Sequence, residues 1–259
     1  MNELRKCCIV VGFLGGLVVV SFAEEPTEKR DAAKTGDAKV VAADSFDRKL
    51  SLKWRIIRPE PVHVSLVKNK GKLTILTQRG CIHGDEKKDE FGKGIQAKNI
   101  FVIENPLPEG ANFVVTTRID SFEPTTKWQQ ASLMIYDDDN YFKWDLEFSH
   151  TDMRVFCCLH ETDQSSKYAL VHTDDVNAKS IWLRIEKLGK HYRCLTSTDG
   201  ERFVMHTVQE WGDGKPNSIG LFAKNGGNKN AGELPAAFDF FELRSDVAPR
   251  VNQADKMSD

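Results

Sequence analysis

The chain has 259 residues, 40% of them hydrophobic, and its 36 Lys and Arg against 38 Asp and Glu give a formal net charge of −2. This charge balance offers no electrostatic basis for binding nucleic acid or an anionic membrane, whereas the hydrophobic fraction is sufficient for a sizeable core. The seven histidines are scattered, with no HxH or HExxH spacing, so no zinc site is indicated.

The first residues have the pattern of a targeting segment. Arg5 and Lys6 precede an apolar run from Ile9 to Phe22, which has signal-peptide length and is short for a transmembrane helix. Small residues occupy the two positions that cleavage after Ala23 requires. The sequence therefore predicts a signal peptide over residues 1–23, no membrane span after its removal, and an exported chain that is periplasmic, envelope-associated or secreted. An uncleaved N-terminal anchor is the alternative.

The remainder divides into a polar, flexible linker over residues 24–40, a β-sandwich domain over 41–245 and a flexible tail over 246–259. Within the domain, strand signals separated by turns recur at short spacing, and no helical period of useful length occurs. The predicted strands cover residues 40–46, 54–57, 62–67, 72–78, 99–104, 112–122, 131–136, 141–148, 153–160, 167–171, 180–186, 191–196, 202–208, 218–223 and 236–243. This spacing is typical of an all-β sandwich or jelly roll.

The clearest pattern is a hairpin over residues 128–148, in which Asp137 to Asn140 form the turn. The first strand is apolar on both faces, as expected in the middle of a sheet. The second strand alternates, because successive side chains of a strand point to opposite faces. One face carries Phe142, Trp144, Leu146 and Phe148, and the other carries Tyr141, Lys143, Asp145 and Glu147.

Four cysteines remain after signal removal: Cys81, Cys157, Cys158 and Cys194. Adjacent residues of a strand point to opposite faces, which disfavours a bond between Cys157 and Cys158. One disulfide between Cys194 and either of them is compatible with an exported chain. We favour four free or buried thiols, because a core of this size needs no disulfide for stability.

An ordered set of motifs then indicates a family. Six stretches carry it: GKLTI from Gly71, KNIF from Lys98 leading to FVVTT, QASLMIYDD from Gln130, WLRIE from Trp182 leading to STDG, IGLFA from Ile219 and AFDFF from Ala237. Together they resemble the concanavalin A-like (laminin G-like) sandwich at the C-terminus of family 43 β-xylosidases and the bacterial DUF1349-type proteins, over residues 42–245. Ser132 stands where that pattern often has Gly.

The resemblance implies an all-β, concanavalin A-like jelly-roll sandwich of two antiparallel sheets in an extracytoplasmic carbohydrate context. It does not imply catalysis, because the hydrolytic carboxylates of the xylosidases lie on a separate propeller domain. A structural calcium between the first and last strands, near Asp44 and Asp239, is compatible with the resemblance, although nothing in this sequence indicates one.

The polar faces of the middle strands are the candidate ligand site. If Met153, Val155, Cys157 and Leu159 face the core, Arg154 joins the polar side of the hairpin, and Arg184 points outward from the later hairpin. Carboxylates and guanidinium groups bond sugar hydroxyls, and aromatic rings stack on sugar C–H faces. The predicted ligand-binding residues are Trp128, Gln130, Tyr141, Lys143, Asp145, Glu147, Arg154 and Arg184. The alternative is a set of cross-strand ion pairs on a solvated or loop-covered face.

The sequence gives weaker support for two further activities, glycoside hydrolysis and calcium binding. Asp145 and Glu147 are two apart on one face, about 6–7 Å from each other, a separation that a glycosidase could use, yet paired acids are common on polar faces. Asp137 to Asn140 could bind calcium, but turn chemistry explains them more simply. The prediction therefore includes no catalytic residue, no metal ligand and no cofactor.

These observations favour an exported, non-catalytic carbohydrate-binding or accessory module whose partner is a glycan or polysaccharide, and not nucleic acid. Two alternatives stay open: a glycan-active hydrolase that uses Asp145 or Glu147, and a structural or protein-interaction domain of the cell envelope.

Overall fold

The computed structural model describes residues 38–82, 95–137, 140–161, 166–172, 180–212 and 214–245, and for 166–172 the backbone alone. The predicted signal peptide, the linker as far as residue 37 and the predicted tail lie outside the described residues, as do positions 138 and 139 of the hairpin turn. The linker prediction extended two residues too far, because the first strand already begins at Lys39.

Every predicted strand is present. The described part of the chain contains β1 (Lys39–Asp44), β2 (Arg55–Ile57), β3 (Val64–Ser65), β4 (Leu73–Leu76), β5 (Ile100–Glu104), β6 (Phe113–Asp120), β7 (Gln130–Asp137), β8 (Asn140–Phe148), β9 (Arg154–Glu161), β10 (Ser166–His172), β11 (Ser180–Leu188), β12 (His191–Ser197), β13 (Val204–Glu210), β14 (Ser218–Lys224) and β15 (Pro235–Ser245). A short 3₁₀ helix covers Pro61–His63. Among these residues no helix is long and apolar enough to cross a membrane.

The strands form two sheets in which every pairing is antiparallel. Sheet I has the order β13-β12-β11-β6-β15-β4-β3, with β1 also paired to β15, and sheet II has the order β10-β9-β8-β7-β14-β5-β2. Neighbours in the sheets are often distant in sequence, as β6 and β15 are, which is the connectivity of a jelly roll and not of a simple meander. The prediction of a sandwich of two antiparallel sheets is confirmed.

The core lies between the sheets and follows the predicted alternation. Phe142, Trp144 and Leu146 of β8 all belong to it, and Trp144 also donates a hydrogen bond from Nε1 to the carbonyl oxygen of Leu195 in sheet I at 2.9 Å. Leu183 and Ile185 of β11 fill it from the other side. A second, smaller apolar cluster forms on the outer face of sheet II, where Ile82, Ala97, Met134, Tyr141 and Phe222 pack together.

The orientation expected for β9 is wrong. Phe156 and Cys158 face the core, whereas Cys157 lies opposite Asp145 on the outer face of sheet II. Both faces of β9 are rich in apolar residues, so its sequence does not distinguish them. The pairing with β8 decides, because paired residues share a face.

This orientation also settles which cysteines approach each other. Sγ of Cys158 and Sγ of Cys194 lie 3.6 Å apart within the core, and both are free thiols. Cys157 points to the opposite face of the sheet and is also free. The interpretation of four free or buried thiols agrees with the structure, although Cys81 is only partly buried.

Candidate functional site

The predicted polar face of β8 lies on the outer side of sheet II, but it is not open to solvent. Lys143 is 1% exposed, Asp145 is 0% exposed and Glu147 is 5% exposed. The chain segments that include Ile82 and Ala97 pack on the same side of the sheet, where they pair with each other through backbone hydrogen bonds at Cys81. The face is therefore covered by chain, which is the alternative to an open ligand-binding face.

Neighbouring strands complete a buried charge cluster around Lys143. Because cross-strand partners share a face, β7 and β9 contribute residues opposite Asp145 and Glu147, and β14 adds a second lysine. The buried charge cluster consists of Gln130, Ser132, Lys143, Asp145, Glu147, Cys157 and Lys224.

Hydrogen bonds link the members of this cluster. The ammonium group of Lys143 contacts Oδ2 of Asp145 directly, lies 3.7 Å from Oε2 of Glu147, and donates to Oε1 of Gln130 at 3.0 Å. Gln130 in turn donates from Nε2 to Glu147 at 2.7 Å, and the Ser132 hydroxyl lies 3.3 Å from Oδ2 of Asp145. When both carboxyl groups are ionised, the two lysines balance them, and the cluster then needs no added ion for neutrality.

Burial controls the protonation of these groups. For Lys143, burial opposes the charged form, but Asp145 and Glu147 outweigh it and raise the pKa of the ammonium group, which stays charged. Burial raises the pKa of both carboxyl groups against the opposing effect of Lys143, and brings the pKa of Glu147 to about 7. Burial likewise raises the pKa of the Cys157 thiol and lowers that of Lys224.

A metal ion fits this cluster poorly. Oxygen atoms of Asp145 and Glu147 and the sulfur of Cys157 lie within 4.8 Å of one another, which is a spacing that a metal could use. However, Lys143 already contacts both carboxylates, and the raised pKa of Cys157 opposes formation of the thiolate that would bind a metal. The cluster is best explained as a buried ion-pair network.

The structure brings together five of the eight predicted ligand-binding residues and separates three. Gln130, Tyr141, Lys143, Asp145 and Glu147 share the outer face of sheet II. Trp128 is half-buried at the start of the hairpin, where its backbone N–H donates to Phe148 at 2.7 Å. Ligand binding by the five residues on the outer face of sheet II stays a prediction. It would require the chain that covers this face to move.

The two arginines lie elsewhere. Arg154 is opposite Phe148 on the core side of sheet II and donates to the carbonyl oxygen of Pro124, so the condition that placed it on the polar side does not hold. Arg184 does point outward, as predicted, but from sheet I. Its guanidinium carbon lies 3.4 Å from the ring centre of Phe203, and burial lowers its pKa to about 10.

The calcium compatible with the family resemblance has no obvious place. The carboxylate of Asp44 accepts hydrogen bonds from the backbone of Phe46, Ser51 and Leu52 and from the indole of Trp54. Asp239 lies 3.3 Å from the guanidinium group of Arg118. N–H donors and a guanidinium group thus surround the oxygens that a cation would need.

A site that sequence reasoning missed lies at one end of the sandwich. A groove of about 950 Å³, here called the end groove, opens between the two sheets. It is bounded by residues 53–55, by the loop after β5, by the β11–β12 turn and by the segment before β14. Its cations are Lys53, Arg55, Lys187, Lys190 and Lys215, its carboxylates are Glu104 and Glu109, and Tyr192 and Trp211 also line it.

Two of these side chains are buried and point inward. Lys187 continues the inward alternation of Leu183 and Ile185, and Tyr192 lies directly opposite it on β12. Lys187 is 5% exposed and Tyr192 is 1% exposed. A lysine at a core position of an alternating strand is the signal in the sequence that could have indicated this site.

Comparisons with known proteins give the family. The model of the family described as "Protein of unknown function (DUF1349)" matches residues 88–245, which is more than half of the chain. The chain belongs to the DUF1349 family. The resemblance inferred from its motifs is thereby confirmed, and no match was found among curated proteins.

Solved structures place this DUF1349 protein among concanavalin-like sandwiches. The GH43 protein BlXynB from Bacillus licheniformis is similar with a TM-score of 0.64 and 21% identity, over 79% of this chain and 39% of that one. A functionally unknown protein from Saccharomyces cerevisiae has a TM-score of 0.54 and 19% identity, over 76% and 97% of the two chains. SCLam, a non-specific endo-β-1,3(4)-glucanase from family GH16, has a TM-score of 0.55 and 12% identity, over 83% and 94%.

These identities establish the fold alone. This chain also spans only about two fifths of the length of BlXynB, as the 39% coverage shows.

The cluster makes Lys143 a stability determinant. Replacing it in Lys143→Met leaves two buried carboxyl groups without their shared cation, and we expect the free energy of unfolding to fall by about 3–5 kcal/mol. Chemical denaturation measures this, with the exposed Lys68→Met as the matched control expected to change it by less than about 0.5 kcal/mol. The double variant Lys143→Met/Asp145→Leu, which keeps Glu147 as the counter-charge of the buried Lys224, should regain most of the loss. A Lys143→Met protein as stable as the control would contradict the ion-pair interpretation.

Glu147 predicts a pH dependence. Its pKa is about 7 in the folded chain against an ordinary value of 4.5. Between these values the unfolded carboxyl ionises while the folded one keeps its proton, so stability falls as pH rises from about 4.5 to about 7. Relative to Glu147→Gln, the parent should lose about 3 kcal/mol over this range. Denaturation curves at several pH values test this, and parallel stability profiles for the two proteins would exclude it.

Proposed function

We propose that this DUF1349 protein is an exported, non-catalytic glycan-binding or accessory module whose contact with glycan is made at the end groove. The observation that carries the proposal is the groove itself, an open concavity of ligand-sized volume that is lined by charged groups, amide groups and aromatic residues. The glycoside hydrolases among the structural neighbours, which include a xylan β-1,4-xylosidase from Bacillus halodurans, support a carbohydrate context for this fold.

The position of the carboxylates supports a non-catalytic role. Asp145 and Glu147 are the pair that a hydrolase on this face would use, yet both are buried in contacts with Lys143 and Gln130. A general acid and a nucleophile must reach the glycosidic bond from opposite sides, which these contacts prevent. The groove carboxylates Glu104 and Glu109 are both exposed, so they lack the buried environment of Asp145 and Glu147.

A second candidate function has one specific observation in its favour. The outer face of sheet I carries ion pairs between Arg118 and Asp120, Lys72 and Asp120, and Arg244 and Glu242. Arg118 also lies over the ring of Trp182, 5.0 Å from its centre. A face of paired charges is what the structural alternative expects, so an envelope interaction domain is the second candidate.

Export has its own test. If the N-terminal segment is a signal peptide, the chain recovered from the extracytoplasmic fraction should begin at Glu24, because cleavage follows Ala23. N-terminal sequencing of that fraction measures it. Recovery of the intact chain with the membranes would instead support an uncleaved anchor.

Glycan binding is tested with an array that includes xylan, arabinan and sulfated algal polysaccharides. We expect the purified chain to bind at least one of them without shortening it. We expect the Glu147→Gln variant to bind as well as the parent, because this carboxylate lies away from the groove and Asp145 still neutralises Lys143. Chain shortening that disappears in this variant would revive the hydrolase. Binding to no glycan would contradict the proposal and favour the protein-interaction alternative.

A further inference from the structure

The end groove contains a buried positive charge that no described carboxylate neutralises. The ammonium group of Lys187 donates to the carbonyl oxygens of Gly110 and Ala111, at 3.3 and 3.0 Å. Burial alone shifts its pKa, downward, with no carboxylate opposing the shift. This contrasts with Lys143, whose two carboxylates raise its pKa. A lysine is rarely buried to this extent without a counter-charge, so the position is costly in the absence of an anion.

Lys187 also retains bonding capacity. An ammonium group has three N–H donors, and the two carbonyl oxygens use two of them. One donor therefore remains for a ligand in the groove.

An unused donor belongs to the residue paired with Lys187 on the neighbouring strand. The hydroxyl of Tyr192 is buried and has no hydrogen-bond partner among the described residues. Tyr192 and Lys187 are direct cross-strand partners, so their Cβ atoms lie about 4.5–5.5 Å apart on one face. A buried polar group without a hydrogen-bond partner needs an explanation. An acceptor oxygen of a bound ligand would explain both the unused hydroxyl of Tyr192 and the unused donor of Lys187.

The remaining charges of the groove favour the same kind of ligand. Among the described lining residues, five cationic side chains stand against the two carboxylates of Glu104 and Glu109. Lys190 is paired with Glu210 outside this set, but Lys53, Arg55 and Lys215 are exposed at the rim. An excess of positive charge in a concavity attracts anions, although the whole chain is slightly negative.

We infer that the end groove binds an acidic sugar unit of a glycan, with the carboxylate of a uronic acid or a sulfate ester held between Nζ of Lys187 and the hydroxyl of Tyr192. This inference rests on the proposed glycan-binding function and specifies its ligand class. Both groups donate to the same negatively charged oxygens, and such charge-assisted bonds are about twice as strong as neutral ones. The rim cations steer the chain of the glycan and the buried pair selects its acidic unit.

Binding measurements with four probes test the inference. Glucuronoxylan and a sulfated galactan represent the two acidic groups, arabinoxylan is the neutral comparison, and free glucuronate is the minimal ligand. The full chain is compared with Lys187→Met, Tyr192→Phe and the control Lys68→Met. We expect preference for one or both acidic polysaccharides over arabinoxylan, a loss of about ten- to a hundredfold in both groove variants, and no loss in the control.

Tyr192→Phe guards against a trivial loss of folding. It removes only an oxygen that has no partner, so its thermal midpoint should equal or exceed that of the parent. Free glucuronate at saturating concentration should raise the midpoint of the parent and of Lys68→Met, but not that of either groove variant.

The outcomes separate this inference from the proposed function. Glycan binding that ignores acidic groups and is unchanged in both groove variants would overturn the inference but leave the glycan-binding role itself standing. Glucuronate stabilisation that depends on Lys187 and Tyr192, without binding of any polysaccharide, would support the anion site and contradict the function. Neither polysaccharide binding nor stabilisation would overturn both.

Discussion

The interaction on which sheet II depends is the contact of Lys143 with Asp145 and Glu147. A charge can be buried in a protein only where opposite charges and hydrogen bonds replace the water that it loses. Gln130 and Ser132 supply those bonds from the neighbouring strand, and Lys224 balances the second carboxylate. The outer face of this sheet can therefore be covered by other parts of the chain. The charged residues that alternate along β8 are buried beneath this cover and do not face solvent.

The same physical rule gives the opposite result at the end of the sandwich. Lys143 points outward from sheet II, whereas Lys187 points inward from sheet I. The ammonium group of Lys187 donates to backbone carbonyl oxygens and contacts no described carboxylate. One lysine has its counter-charges within the fold and the other lacks them. The difference separates a structural cluster from a site that an external anion completes, and the unpaired hydroxyl of Tyr192 falls at the second of these places.

The fold could be read almost entirely from the sequence, because strand alternation and turn residues are local signals. The β8 faces and the outward position of Arg184 followed from period two alone. The face of β9 did not, since Val155 to Leu159 are apolar on both sides and only the register with β8 decides between them. The covering of Lys143 depends on long-range packing around Ala97, and the end groove is assembled from four distant segments, so neither leaves a local pattern. Lys187 did leave one, as a lysine at an inward position of β11.

The most direct measurement is a crystal structure of the full chain with a xylo-oligosaccharide that carries glucuronic acid. We predict that the uronate carboxylate lies within hydrogen-bonding distance of both Nζ of Lys187 and the hydroxyl of Tyr192, with the buried charge cluster unchanged on the other face of sheet II. A sugar bound over Lys143 and Glu147, or one whose carboxylate points out of the groove into solvent, would contradict the assignment of the end groove as the glycan site.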